Sequence, residues 1–150
     1  DLKSIIQAKE TFTILTEKFP NTEYALDAEF KLDMIDDILA SKEMYLGRYY
    51  VERKKWIPAI NRFRSIIDEY DETIYTQEAL HRLVEIYYII GLKEEAKKYA
   101  QLLGYNYQSS KWYEKSYSVF DKMYEKNIKE NSRKNKKNSS ILRKFKSIFD

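Results

Sequence analysis

Leu46-Gly47-Arg48-Tyr49-Tyr50, followed by Ala59-Ile60-Asn61-Arg62-Phe63, is the stretch from which the rest of the chain can be read. Its spacing puts one small residue, Gly47 or Ala59, on each of two successive helices, with a large apolar residue one turn further along. Small residues at a crossing let two helix backbones approach closely. Leu46, Tyr50, Phe63, Ile66 and Ile67 then fill the space beside the contact. The same order returns at Leu83, Tyr87, Ala96, Ala100 and Leu103, with Val84 in the place of Gly47. An earlier half unit, Ala8, Phe12, Leu15 and the terminating Pro20, has the spacing of a second helix. Three partial copies in one phase predict an all-α chain of stacked helical hairpins, an α-solenoid.

Working outward from that stretch, Ser4 to Lys18 carries Ile5, Ala8, Phe12 and Leu15 at three- and four-residue steps, the pattern of an amphipathic helix. Pro20 ends it by disfavouring the helical conformation in Phe19, and Asn21 or Thr22 is placed to cap the next helix. From Tyr24 to about Lys54 there is no Pro, and apolar residues from Ala25 through Leu39 to Tyr45, Leu46, Tyr49 and Tyr50 keep helical spacing. This predicts a single helix of about thirty residues, about 45 Å long, fusing two repeats. Arg53 to Trp56 forms a turn. Trp56 to Tyr70 is the next helix, with Pro58 tolerable in its first turn. Tyr75 to Ile90 follows, stopped by Gly91, and Lys93 to Leu103 is its partner, ended by Gly104. Ser110 is placed to cap a last helix through Trp112, Tyr113, Tyr117, Phe120 and Tyr124, whose polar outer face suits a C-terminal capping helix of a repeat array.

The pattern resembles the tetratricopeptide signature, Leu-Gly-x-x-Tyr then Ala-x-x-x-Phe in a unit of roughly 34 residues. It departs from it where Glu43 holds the usual Trp position and Asp71 the closing Pro. The domain reading is therefore a tetratricopeptide-repeat domain over residues 1–126, a basic linker over 127–139 and a short basic amphipathic helix over 140–150. Residues 126–146 carry nine Lys or Arg against Glu130 alone, so a net charge of +3 conceals a net acidic remainder. Beyond them, Ile141, Leu142, Phe145, Ile148 and Phe149 fall on one face, with Arg143, Lys144 and Lys146 opposite.

Signals of bond chemistry are sparse. With no Cys, neither a disulfide framework nor a thiolate nucleophile or metal site is available. No glycine-rich phosphate loop, serine-nucleophile motif or zinc spacing occurs. His81 is the sole histidine, and its neighbours Leu80 and Leu83 direct it to a helix boundary, a structural position. Asp36-Asp37 and Asp68-Glu69 are adjacent pairs that point apart on a helix and read as solvated faces. No cofactor or catalytic group is expected. The basic tail lacks a reading surface for nucleic acid, so none is expected as a partner. Most of the fourteen Tyr fall at repeat-core spacing, which favours packing. Arg62, with Arg53 and Lys55 near the turn, is placed to offer guanidinium groups to a partner's carboxylates.

Three runs carry a closer resemblance: Lys42 to Tyr50 with Trp56-x-x-Ala59-Ile60-Asn61-Arg62-Phe63, Glu78 to Glu85, and Leu103-Gly104-Tyr105-Asn106-Tyr107 with Ser110, Trp112 and Tyr113. Together with Phe19-Pro20-Asn21-Thr22-x-Tyr24-Ala25 they resemble the BamD family of outer-membrane assembly lipoproteins over roughly residues 1–117. The resemblance implies a non-enzymatic scaffold on the periplasmic face of the outer membrane, in the machinery that inserts β-barrels. It implies that this chain is the C-terminal part, without the lipidated Cys and the earliest repeats. The implied partner is a POTRA domain of the barrel protein BamA, with other assembly lipoproteins and unfolded barrel substrates as further partners. Asn61-Arg62 matches the family's Asn-Arg on the BamA-facing helix and Arg53 a basic position in the preceding turn, so Arg62, Asn61, Arg53 and Trp56 are the expected docking residues. The alternative is a general peptide-capturing repeat module. Membrane contact is expected through the parent's anchor or the basic C-terminal helix.

Overall fold

The computed structural model describes residues 2–121, and the sequence-based linker and terminal amphipathic helix lie outside them. Within that range the chain is helical throughout: α1 (Leu2–Lys18), α2 (Glu23–Glu52), α3 (Trp56–Glu69), α4 (Thr76–Ile89) and α5 (Lys93–Asn106), with α6 over residues 111–121. Each helix packs on its neighbour in sequence, α1 on α2, α2 on α3, α3 on α4 and α4 on α5, the layering of a tetratricopeptide-like solenoid. The fused helix spans 30 residues. Thr22 begins it, its hydroxyl accepting from the Ala25 amide at 3.2 Å.

The core follows the repeat logic down to individual side chains. Ala40, Met44, Ala59, Phe63, Ile66, Ala79, Leu83 and Ile86 form one buried cluster. At Gly47 a Cβ would lie 2.7 Å from Phe63 Cζ, so the phenyl ring occupies the volume that a side chain on α2 would need. The second hairpin reverses that exchange. Val84 stands where Gly47 does and Ala100 where Phe63 does, and Val84, Ala96 and Ala100 form their own buried cluster. Bulk has moved from the second helix to the first, which conserves the volume of the crossing.

Both hairpin turns close the preceding helix in the same way. After α4, the Gly91 amide donates to Tyr88 O at 3.1 Å and the Leu92 amide to Tyr87 O at 2.8 Å, with Gly91 at φ +89°. After α2, Lys54 donates to Val51 O and Lys55 to Tyr50 O, both at 2.9 Å, and Lys54 has φ +54°. These are Schellman closures, whose left-handed residue is ordinarily Gly. Lys54→Gly is therefore expected to raise stability by about 0.5–1 kcal/mol, and Gly91→Ala to lower it by about 1 kcal/mol. Urea melts of the two variants followed by circular dichroism check the opposite signs.

Two expectations are corrected. Gly104 does not end α5, which continues to Asn106 and caps at Tyr107. Its role is close approach: a Cβ there would stand 2.7 Å from Tyr113 Cε2, so Gly104 makes room for α6. The tyrosines also divide differently. Tyr87 stacks on Tyr99 inside the repeat, ring centroids 5.4 Å apart, but Tyr24, Tyr45 and Tyr105 are exposed. A helix as long as α2 presents several faces, and Tyr45 lies off the Ala40–Met44–Gly47 line that meets α3.

The turn in which Asp71 replaces Pro keeps its shape through hydroxyls. Thr73 Oγ1 donates to Tyr70 O at 2.8 Å and Thr76 Oγ1 to the same oxygen at 3.1 Å. Ser110 caps α6 as expected, accepting from the Tyr113 amide at 3.2 Å.

Candidate functional site

Arg62 is placed by α3, one residue before the buried Phe63, so its stem leaves the core edge while its guanidinium reaches solvent. Its Nη1 donates to both oxygens of Glu43 on α2, at 3.0 and 3.4 Å. Glu43 is the residue at the signature's Trp position, and its side chain is only 16% exposed, whereas that of Arg62 is 42% exposed. The carboxylate thus orients the guanidinium and leaves its remaining N–H groups available outward. Beside it lies an open groove of about 340 Å³ lined by Tyr50, Ile57, Pro58, Asn61, Arg62 and Ser65.

The other expected docking residues divide. Asn61 shares the groove with Arg62 and is exposed. Arg53, in the turn between α2 and α3, stacks on Tyr49 with its guanidinium carbon 3.6 Å from the ring centroid and donates to Tyr49 O at 3.3 Å. Trp56 instead leans on the buried cluster, where it anchors the start of α3. The sequence reading missed three exposed apolar groups, Tyr45 (69% exposed), Tyr49 and Ile57. Tyr49 and Ile57 had a signal, since Tyr49 is one helical turn before Arg53 and Ile57 follows Trp56, whereas the apolar spacing around Tyr45 gave none.

A second polar assembly ties the helices together. Glu78 on α4 is buried and accepts from Arg48 of α2 through Nε at 3.0 Å and Nη2 at 2.5 Å. Arg82 bridges Glu78 at 3.3 Å and Glu85 at 2.9 Å. His81 is buried at the boundary of α4 and α6, as its neighbours implied. Its Nδ1 lies 2.8 Å from Ser116 Oγ, its Nε2 lies 3.5 Å from Glu85 Oε1, and its ring packs on Trp112 at 5.2 Å. The Ser116 hydroxyl donates to Trp112 O at 2.8 Å, so its oxygen is the acceptor for an Nδ1–H proton.

Burial acts to raise the Glu85 carboxyl, but the hydrogen bond and charge of His81, with Arg82, outweigh it and hold the group below its ordinary value of 4.5. A carboxyl depressed in the folded state adds stability above its unfolded value and loses it as pH falls through the folded value. The midpoint of thermal unfolding is therefore expected to fall as pH drops below about 4.5. In Glu85→Gln that part of the pH profile is expected to flatten, which calorimetric scans between neutral pH and pH 3 check.

Stacked hairpins with an oriented, outward-facing arginine beside a groove define a protein of the helical-repeat class with a polar surface patch at that groove. The chain matches the family model described as outer membrane lipoprotein (YfiO) over residues 1–102, and it belongs to that family. It is 51% identical over 112 residues to the outer membrane protein assembly factor BamD of Rickettsia prowazekii, covering 75% of this chain and 45% of that protein. It is 44% identical over 115 residues to the factor of the same name from Caulobacter vibrioides, covering 77% and 38%. Against that of Neisseria meningitidis serogroup A the identity is 34% over 110 residues, covering 73% and 41%. The chain thus spans less than half the length of these relatives. Among the described residues no helix is long and apolar enough to cross a membrane.

Proposed function

We propose that this chain is the docking part of an outer-membrane protein assembly factor, a non-enzymatic scaffold at the periplasmic face of the outer membrane that binds a POTRA domain of BamA. The observation that carries this reading is the surface at the α2–α3 turn, where Glu43 holds Arg62 outward beside Asn61 and Ile57, and Arg53 lies on Tyr49. Arginine, tyrosine and an exposed aliphatic side chain on one rigid patch are the composition of an interface hot spot. An acidic POTRA residue facing Arg62 would pair with the N–H groups that Glu43 leaves free.

In this role the chain acts through geometry. The fused helix α2 fixes the docking surface relative to α1 and whatever α1 packs against, so a bound partner is held at one distance and orientation. Holding substrate beside the barrel protein raises its effective concentration without any bond being made or broken.

The test is a hydrogen-exchange footprint of the full chain with and without the POTRA domains of its own BamA. Protection is expected over the C-terminal turns of α2 and the first two turns of α3. Absence of protection anywhere in a folded chain would overturn the docking reading. Selective protection by aromatic-ended peptides alone would favour the peptide-capturing module.

A further inference from the structure

Helix α2 carries a second surface that neither the core nor the docking reading uses. Leu26, Phe30, Met34 and Ile38 recur at four-residue steps along its N-terminal half and are all exposed, Phe30 by 72%. Four large apolar side chains in one row form a helix face without a partner among the described residues, a feature that marks an interaction site. Along one flank of this row runs a groove of about 250 Å³ between α2 and the α3–α4 turn. It is lined by Asp33, Asp36, Asp37, Glu69, Asp71 and Glu72, with the exposed Ile74 on its far bank. Lys9 pairs with Asp36 at 2.5 Å, one cation against six carboxylates. No three of those carboxylates converge closely enough to hold a metal ion. The surface therefore suits an occupant with an apolar stripe and several distributed positive charges.

The chain's own C-terminal sequence has that composition. Ile141, Leu142, Phe145, Ile148 and Phe149 recur at the spacing that would put them on one face of a helix, with Arg143, Lys144 and Lys146 at the intervening positions. We propose that the exposed face of α2 is the docking site of residues 141–149 of the same chain, with their apolar residues on Phe30, Met34 and Ile38 and their basic residues toward the acidic groove. Length permits it. The 19 residues from 122 to 140 can span at most about 60–70 Å when extended, whereas α6 packs on α4 and α4 reaches α2 through Arg48–Glu78, two to three helix packings at 8–10 Å each, or about 20–30 Å. Because the segment is tethered, its local concentration at α2 is set by the connection, so even a small apolar contact can be well occupied. Charge complementarity selects this face over the rest of the surface, and it makes occupation weaken with salt. Docking there would place residues 141–149 away from the Arg62 groove, so both surfaces can be engaged at once.

The absence of Cys makes the test clean. In the full chain carrying Met34→Cys and Ile148→Cys, dilute mild oxidation is expected to give an intramolecular disulfide about tenfold faster than in a control carrying Tyr105→Cys and Ile148→Cys. Adding Lys144→Glu and Lys146→Glu, or raising salt to 1 M, is expected to remove that advantage. Equal rates in the two pairs would overturn the proposal, as would a product that is a disulfide-linked dimer at every dilution, which would assign the face to a second copy. Retention of the basic segment on phosphatidylglycerol vesicles, with no change in the α2 cross-link on charge reversal, would assign the segment to a lipid surface and likewise overturn it. None of these outcomes bears on POTRA binding through Arg62, so the two readings fail separately.

Discussion

Phe63→Ala is expected to lower the stability of the folded chain by about 3–5 kcal/mol, the largest loss from any single truncation in the core. A domain of this size has about 5–15 kcal/mol in total, so the variant would be marginal at 37 °C. Phe63 is fully buried at the centre of the main cluster, and its ring fills the place left open by Gly47. That juxtaposition gives the prediction a second, sharper part. Gly47→Ala alone is expected to cost about 1–3 kcal/mol, because its methyl group runs into the ring edge. In the Phe63→Ala background the same methyl enters the cavity, and its cost should vanish or change sign. A double-mutant cycle in urea would return a coupling energy of about 1–3 kcal/mol. Additive losses would mean that Gly47 and Phe63 do not share one volume, against the repeat logic. The reversed pair in the second hairpin, Val84 with Ala100, offers the internal comparison.

The second large effect falls on Glu78. Its side chain is 10% exposed and accepts from two arginines on two helices, so Glu78→Ala leaves Arg48 and Arg82 facing each other without the carboxylate between them. Breaking a fully buried pair costs about 3–5 kcal/mol; with Arg48 half exposed and able to turn to water, about 2–3 kcal/mol is expected here. Glu78→Gln, which keeps shape and hydrogen bonding but removes charge, should recover part of it. Native-state hydrogen exchange should show the loss on α2 and α4 together, since Arg48–Glu78 is the polar tie between them. A loss confined to α4 would mean that Arg48 contributes nothing to the joint.

Most of the fold could be read from spacing because the repeat makes one demand several times. Gly47, Ala59 and Phe63 define a crossing, and Val84, Ala96 and Ala100 repeat it in the same phase, so helix order and pairing followed without tertiary information. Helix ends marked by Pro20 and Gly91 were legible for the same local reason. The errors lie where a residue's reason is not local. Gly104 reads as a stop, yet it is small because Tyr113 packs on it. Lys54 gives no sign that it adopts a left-handed conformation, since the turn is closed by backbone hydrogen bonds that constrain any residue there. Exposure of Tyr45 depends on which side of a 30-residue helix meets α3, and an almost unbroken apolar spacing conceals this. As for the candidate site, Arg62 and Asn61 were marked by family resemblance, while the Glu43 pairing was not foreseen. Glu43 had been seen only as a departure from Trp. Trp56 was marked too, and it is partly buried, with one side packed on the core cluster, a contact that its position in the turn did not announce.

Glu43 also supplies the measurement that separates a docking arginine from a merely structural one. Arg62→Glu and Glu43→Gln both break the internal pair, but only the first removes the outward-facing charge. Glu43→Gln should cost the fold no more than about 1 kcal/mol, because Arg62 is partly exposed, whereas Arg62→Glu sets a second carboxylate against the largely buried Glu43 and should cost about 1–3 kcal/mol, which leaves the chain folded. The decisive experiment is calorimetric titration of both full-length variants and the parent chain with the POTRA domains of its own BamA, at low and at physiological salt. Arg62→Glu is predicted to weaken binding at least about thirtyfold, consistent with an interface hot spot, and to reduce its salt dependence, while Glu43→Gln binds as tightly as the parent or tighter. Equal affinity in all three chains, or equal losses in both variants, would contradict docking through Arg62.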